Sequence, residues 1–261
     1  MENFRYKKNL GQNFLQDEKV LQKIVGSIDC TKDDCIIEIG PGHGALTKYL
    51  VKFNCSVIAF EIDKEVKSVL DKINYDNLKV VYEDFMKTDV KAYLPNNYNN
   101  LYIIANIPYY ITTPILEKII ASNLDEKSCV LMVQKEVADR FSAKCGSKEY
   151  GSVTVYLDYY YKINKLFEVP RKAFYPIPNV DSAVIKLDRK EKNIDLNEDK
   201  FFKFVKSAFQ FKRKNLRNNL KNYDLEKISS VLINYNHTLQ NRAEEISLDE
   251  FIDIFKNIEK N

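Results

Sequence analysis

The chain has 261 residues, 45% hydrophobic and 30% charged, with a net charge of +3 and a pI near 8.4. That balance excludes a disordered or membrane-embedded chain, and so mild a basic excess says little by itself about partners. The length suits one large α/β domain of roughly 180 to 200 residues with a small appendage. MENFRYKKNL at the N-terminus has no apolar signal core, and no run of about 18 apolar residues follows it, so a cytoplasmic protein is expected. Cys30, Cys35, Cys55, Cys129 and Cys145 are odd in number and lack CxxC spacing. They read as reduced, mostly buried thiols, with neither a disulfide framework nor a metal site.

Taken in chain order, short apolar runs alternate with helical stretches: CIIEIG (35–40), SVIAFEI (56–62), LKVVYED (78–84), LYIIANI (101–107) and CVLMVQ (129–134). Continuous apolar character predicts strands buried on both faces of a parallel sheet, with crossover helices between them. VTVYLDYYYKI (153–163) and SAVIKLD (182–188), joined by a proline-rich stretch, predict two more strands, an antiparallel pair at one edge. The result is a doubly wound, seven-stranded α/β sheet. Beyond residue 190 the pattern predicts helices at 199–221, 224–235 and 247–258, the last opened by a Ser247/Glu250 capping box. The domains are accordingly set at 1–190 and 191–261.

The first strand ends in Gly40-Pro-Gly42-His-Gly44, where glycines let the backbone approach a ligand at a helix N-terminus. The second ends in Glu61, placed to accept hydrogen bonds from ribose hydroxyls, and the third in Asp84, which could equally cap a helix. These features call for a nucleotide-type cofactor and leave NAD and S-adenosyl-L-methionine both open. The fourth strand decides, ending in Asn106-Ile-Pro108-Tyr109 beside the glycine loop. An Asn oxygen and a backbone carbonyl can accept the N–H bonds of an exocyclic amine. Pro108 stiffens the turn, and Tyr109 can stack on a flat base. This reads as methyl transfer to an adenine amine, with no strong general base required. His43 reads as a variable loop position.

From Lys200 to Lys221 the chain carries eight Lys or Arg, no acid and five Phe. Lys212, Arg213, Lys214 and Arg217 within it are candidate RNA-phosphate contacts.

LGQNFL (10–15), IEIGPGHGALT (37–47), EIDK (61–64), NIPYYITTPIL (106–116), VQKEVADRF (133–141), YGSVTV (150–155), FYPIPNVDSAVIKL (174–187) and FKRKNLRNNL (211–220) together resemble the ribosomal RNA adenine dimethyltransferases. Within that family the likeness is strongest to the branch that dimethylates two adjacent adenines in the 3′-terminal hairpin loop of 16S rRNA. The resemblance implies a Rossmann-like class I methyltransferase with a small C-terminal all-α, RNA-binding domain. It implies cofactor contacts at Asn13, Leu15, Gly40, Glu61, Asp84 and Asn106, and stacking of the target adenine by Tyr109 and Phe174. Asn13, Leu15 and Phe174 rest on the resemblance alone. It also implies 16S rRNA in the small subunit or its precursor as partner and a role in subunit biogenesis; a monomer is expected.

The sister group acting on 23S rRNA shares the glycine loop and NIPY, but TTP (112–114), QKEVADR (134–140) and VDSAV (180–184) side with the small-subunit branch. A non-catalytic ribosome-assembly factor would have no need of Gly40, Glu61 and Asn106. DNA adenine methyltransferases commonly carry Asp where Asn106 stands.

Overall fold

The computed structural model describes residues 13–106, 111–191 and 195–260. Among these, seven strands form one sheet: β2 (Cys35–Ile39), β3 (Ser56–Phe60), β4 (Leu78–Val81), β5 (Leu101–Asn106), β6 (Glu126–Gln134), β7 (Tyr161–Val169) and β9 (Ser182–Arg189). Their order is β4-β3-β2-β5-β6-β9-β7. The first five run parallel, and β9 pairs antiparallel with β6 from Ser182↔Gln134 to Asp188↔Ser128. A two-residue strand β1 (Phe14–Leu15) pairs separately with β8 (Phe174–Tyr175).

Every residue of β2 is buried, which is why its sequence shows no alternation. Ile36 of β2 and Tyr102 and Ile104 of β5 join one core cluster with Leu21 and Ile24 of α1 (Glu18–Val25) and Leu50 of α2 (Thr47–Leu50). Ile37 and Ile103 lie on the opposite sheet face and are equally buried, as are Ile115 and Ile119 of α4 (Thr112–Ser122). Asp17 starts α1 by accepting from Lys19 and Val20 N–H.

Contacts divide the chain into Met1–Ala138 with Asn164–Arg189, and Asp139–Ile163 with Lys190–Asn261. The expected boundary at 190 is therefore corrected for one segment: 139–163 packs with the C-terminal residues. The reason lies in its secondary structure. Residues 153–160 are not strand but part of the helix α6 (Ser152–Tyr160), and the strand β7 begins only at Tyr161. β-Branched and aromatic residues favour strands only weakly. Here Tyr156, Tyr159 and Tyr160 meet Phe202 of α7 (Glu198–Ala208) at ring distances of 4.7, 5.2 and 5.8 Å, and Glu198 accepts the Tyr160 hydroxyl at 2.7 Å. Burying such rings at roughly 1.5 to 3 kcal/mol each outweighs the local preference.

The helix expected over 199–221 is broken into α7 and the short α8 (Leu216–Asn219). Phe201 and Phe204 of α7 pack on Phe255 of α10 (Leu248–Glu259), and α9 (Leu225–Leu232) completes the helical core with Ile228 and Leu232. The Ser247/Glu250 capping box opens α10 as expected, Ser247 N–H donating to Glu250 at 2.8 Å.

Candidate active site

The strand order reverses between β2 and β5, so the carboxyl ends of these two strands flank a crevice. Ile39 and Ala105 are register partners, which places Gly40 and Asn106 side by side at that edge. The turn after β2 is left-handed at Gly40 (φ 72°), Gly42 (φ 56°) and Gly44 (φ 76°). At Gly42 the requirement is also steric: a Cβ there would lie 2.8 Å from Cε1 of Phe14. Phe14 uses the space to stack on the His43 imidazole, centroids 4.2 Å apart.

Glu61 follows β3 and is buried. Its carboxylate accepts Gly42 N–H at 2.9 Å on one oxygen and Asp63 N–H at 2.7 Å on the other, tying the acid to the glycine loop and leaving lone pairs on both oxygens. Burial raises its pKa, the backbone donors of Asp63, Gly42 and Ile62 pull it back, and the Asp63 charge pushes it up again. Glu38, inside β2, is buried more deeply. Burial pushes its carboxyl up to about 7 against the hydrogen bond from the Thr47 hydroxyl at 2.7 Å, with the Glu61 charge adding to the rise. Asp84 caps a turn rather than a helix, accepting Met86 N–H at 3.0 Å, and it lines the cleft.

These groups bound a cleft of about 460 Å³. Asn13, Leu15, Gly40, Glu61, Asp84, Asn106 and Phe174 all line it. Leu15 and Phe174 come together because they are register partners across β1 and β8. Pro108 and Tyr109, expected beside Asn106, lie outside the described residues. Lys212, Arg213, Lys214 and Arg217 are exposed in the C-terminal unit, and none of them makes an ion pair among the described residues.

The lining itself selects the cofactor. Among the described lining residues Glu61, Glu83 and Asp84 outnumber the one cation, Lys48, so the cleft suits a cationic ligand and disfavours the pyrophosphate of a dinucleotide. Ile62, 55% exposed, and Met86, 36% exposed, offer apolar surface for a planar base beside Asp84 as acceptor. S-Adenosylmethionine, with a sulfonium, an adenine and a ribose, fits this donor set. A wider groove of about 640 Å³ adjoins the cleft at Ile62, Glu83 and Asp84, but the glycine loop takes no part in it.

Sequence reading left Glu38, Ile62, Met86 and the Phe14–His43 pair unassigned. An acid inside the apolar run CIIEIG and an apolar residue directly after Glu61 were the available signals for the first two.

Reversed strand order, a left-handed glycine turn and an acidic, apolar-sided cleft define an S-adenosylmethionine-dependent methyltransferase with a Rossmann-like, class I fold. The sequence model for "Ribosomal RNA adenine dimethylase" matches residues 3–260, and the chain belongs to that family. It is 44% identical to the "Ribosomal RNA small subunit methyltransferase A" of Mycoplasma mobile, over 96% of this chain and 97% of that one. A dimethyladenosine transferase from Plasmodium falciparum superposes with a TM-score of 0.79 at 28% identity, covering 92% of this chain and 95% of that one. The 23S rRNA methyltransferase ErmE superposes with a TM-score of 0.77 over 95% of this chain and 100% of its own, at 23% identity, a likeness of fold alone. No described helix is long and apolar enough to cross a membrane, and no described group of three or more His, Cys, Asp or Glu could hold a metal.

Proposed function

We propose that this chain dimethylates the exocyclic amines of two adjacent adenines in the 3′-terminal hairpin loop of 16S rRNA during small-subunit biogenesis, acting as a cytoplasmic monomer. The observation that carries the reading is the position of Asn106: it ends β5 beside Gly40, in the same cleft as Glu61 and Phe174. The 44% identity to a small-subunit enzyme favours 16S over 23S rRNA.

Bound S-adenosylmethionine supplies an electrophilic methyl on a sulfonium. Glu61 would hold the ribose hydroxyls, Asp84 the adenine amine, and Asn13, Leu15 and Gly40 the remainder of the cofactor. The side-chain oxygen of Asn106 accepts an N–H of the target amine, which draws that nitrogen toward tetrahedral geometry and localises a lone pair otherwise spread into the ring. Phe174 and Tyr109 would hold the target base flat and so fix the direction of its amine. The methylated nitrogen is acidic and loses its proton to water. A second round on the same nitrogen gives the dimethylated base. Lys212, Arg213, Lys214 and Arg217 hold the RNA backbone.

Offering small and large ribosomal particles, each lacking its native adenine methylation, tests the choice of substrate. Transfer to the small particle is expected; transfer confined to the large one would move the assignment to the 23S-directed group.

A further inference from the structure

In the C-terminal unit, α7 and α8 are joined by a turn, residues 209–215, whose shape is imposed by one buried side chain. Asn219 donates from Nδ2 to the carbonyls of Ala208 at 2.7 Å, Phe211 at 3.3 Å and Lys214 at 3.3 Å, and its Oδ1 accepts Phe211 N–H at 3.1 Å. Lys214 N–H closes the turn onto Phe211 O at 2.9 Å. Asn215 caps α8 through Asn218 N–H and donates to Gln240 at 2.7 Å, so the far end is pinned as well. A turn held at so many points presents its side chains in fixed places.

Phe211 is the side chain it presents. Of the five Phe between 200 and 221, Phe201 and Phe204 are buried, Phe202 packs on α6, and Phe209 meets Tyr150 and Phe251 at 6.1 and 5.8 Å. Phe211 is 56% exposed and makes no ring contact among the described residues. Lys212, Arg213, Lys214 and Arg217 follow it in sequence, all exposed and without acidic partners among the described residues. A flat apolar face amid uncompensated cations matches an unpaired nucleotide, with its base on the ring and its phosphates on the cations. A protein partner would have to supply several carboxylates around one apolar pocket.

We infer that Phe211 is a base-stacking residue, held by Asn219, that binds an unpaired base of the RNA substrate while the adjacent cations hold its backbone. This rests on the RNA-substrate reading above and extends it to a contact that depends on stacking rather than charge.

The chain contains no tryptophan, so Phe211→Trp in the full-length protein introduces a single fluorophore at the contact. Titration with deproteinised 16S rRNA should quench its emission to saturation. Phe211→Ala should weaken binding roughly 5- to 50-fold without changing the dependence on salt, whereas Phe211→Tyr should bind as wild type. Because the ring is exposed, these variants should fold as wild type does, which circular dichroism checks. Undiminished binding by Phe211→Ala, or a bound complex with unaltered emission, would overturn the assignment alone. A response to whole particles but not to deproteinised RNA would overturn it in favour of a protein contact. Failure of the wild-type chain to bind any ribosomal RNA would bring down the substrate reading and this contact together.

Discussion

The ring of Phe14 lies 4° from parallel with the imidazole of His43, and the space it occupies exists because Gly42 has no Cβ. The stack forms one wall of the cofactor cleft and ties the segment before α1 to the glycine loop. Ring pairs of this kind contribute about 0.5 to 1.5 kcal/mol, up to roughly a tenfold change in an equilibrium. Phe14→Ala should therefore raise KM for S-adenosylmethionine by up to about tenfold with little change in kcat. Steady-state kinetics at saturating RNA checks this, and an unchanged KM would remove the pair from the cofactor site.

Asn106→Ala should lower kcat by about 10² to 10³, because an acceptor that acts as the amine becomes tetrahedral is lost at the transition state. Cofactor binding, followed by calorimetry, should weaken but remain measurable. Turnover at the wild-type rate would refute the role given to Asn106.

Phe174→Leu separates stacking from packing, since leucine keeps an apolar group at this buried position. Base stacking on an aromatic contributes about 1 to 3 kcal/mol, so kcat/KM for RNA should fall roughly 5- to 150-fold with the melting temperature nearly held. A loss of stability with kcat/KM intact would make Phe174 a packing residue.

Buried Glu38 gives stability a pH dependence whose sign is fixed. Its carboxyl is pushed up to about 7 by burial, above the 4.5 of the free group. The folded state then holds a proton that the unfolded state has released, so stability is full below the unfolded value and is lost as pH rises through about 7. The ceiling is about 3 kcal/mol at 1.36 kcal/mol per unit. Glu38→Gln keeps an acceptor for the Thr47 hydroxyl and removes the titration. Its melting temperature should fall less than that of wild type between pH 5 and 8, and parallel curves would contradict the origin assigned to the shift.

β2 to β6 were legible in the sequence because strands buried on both faces need continuous apolar runs, and Gly40, Glu61 and Asn106 follow from where those runs stop. Residues 153–160 were not legible: their β-branched and aromatic pattern suits a strand, whereas packing on Phe201 and Phe202 and the hydrogen bond from Tyr160 to Glu198 hold them in a helix. Nor was the break after Ala208, since no Gly or Pro marks it and the turn is shaped by Asn219. Asn13, Leu15 and Phe174 could be placed by resemblance but not by spacing, because they reach the cleft through the two-residue pairing of β1 with β8.

Replacing Lys212, Arg213 and Lys214 together by Ala should weaken RNA binding and flatten its dependence on the logarithm of salt concentration by about 2. These side chains are exposed and form no ion pairs among the described residues, so stability should not change. An unaltered slope would make the cluster a solvated surface with no part in RNA binding.

Dimethylation of 16S rRNA is tested most directly by transfer of tritiated methyl groups from S-adenosylmethionine to purified small-subunit particles that lack their native adenine methylation, followed by nucleoside analysis and mapping. N6,N6-dimethyladenosine at two adjacent positions of the 3′-terminal hairpin is the expected product. Cofactor binding without incorporation, or incorporation only at other positions, would contradict it.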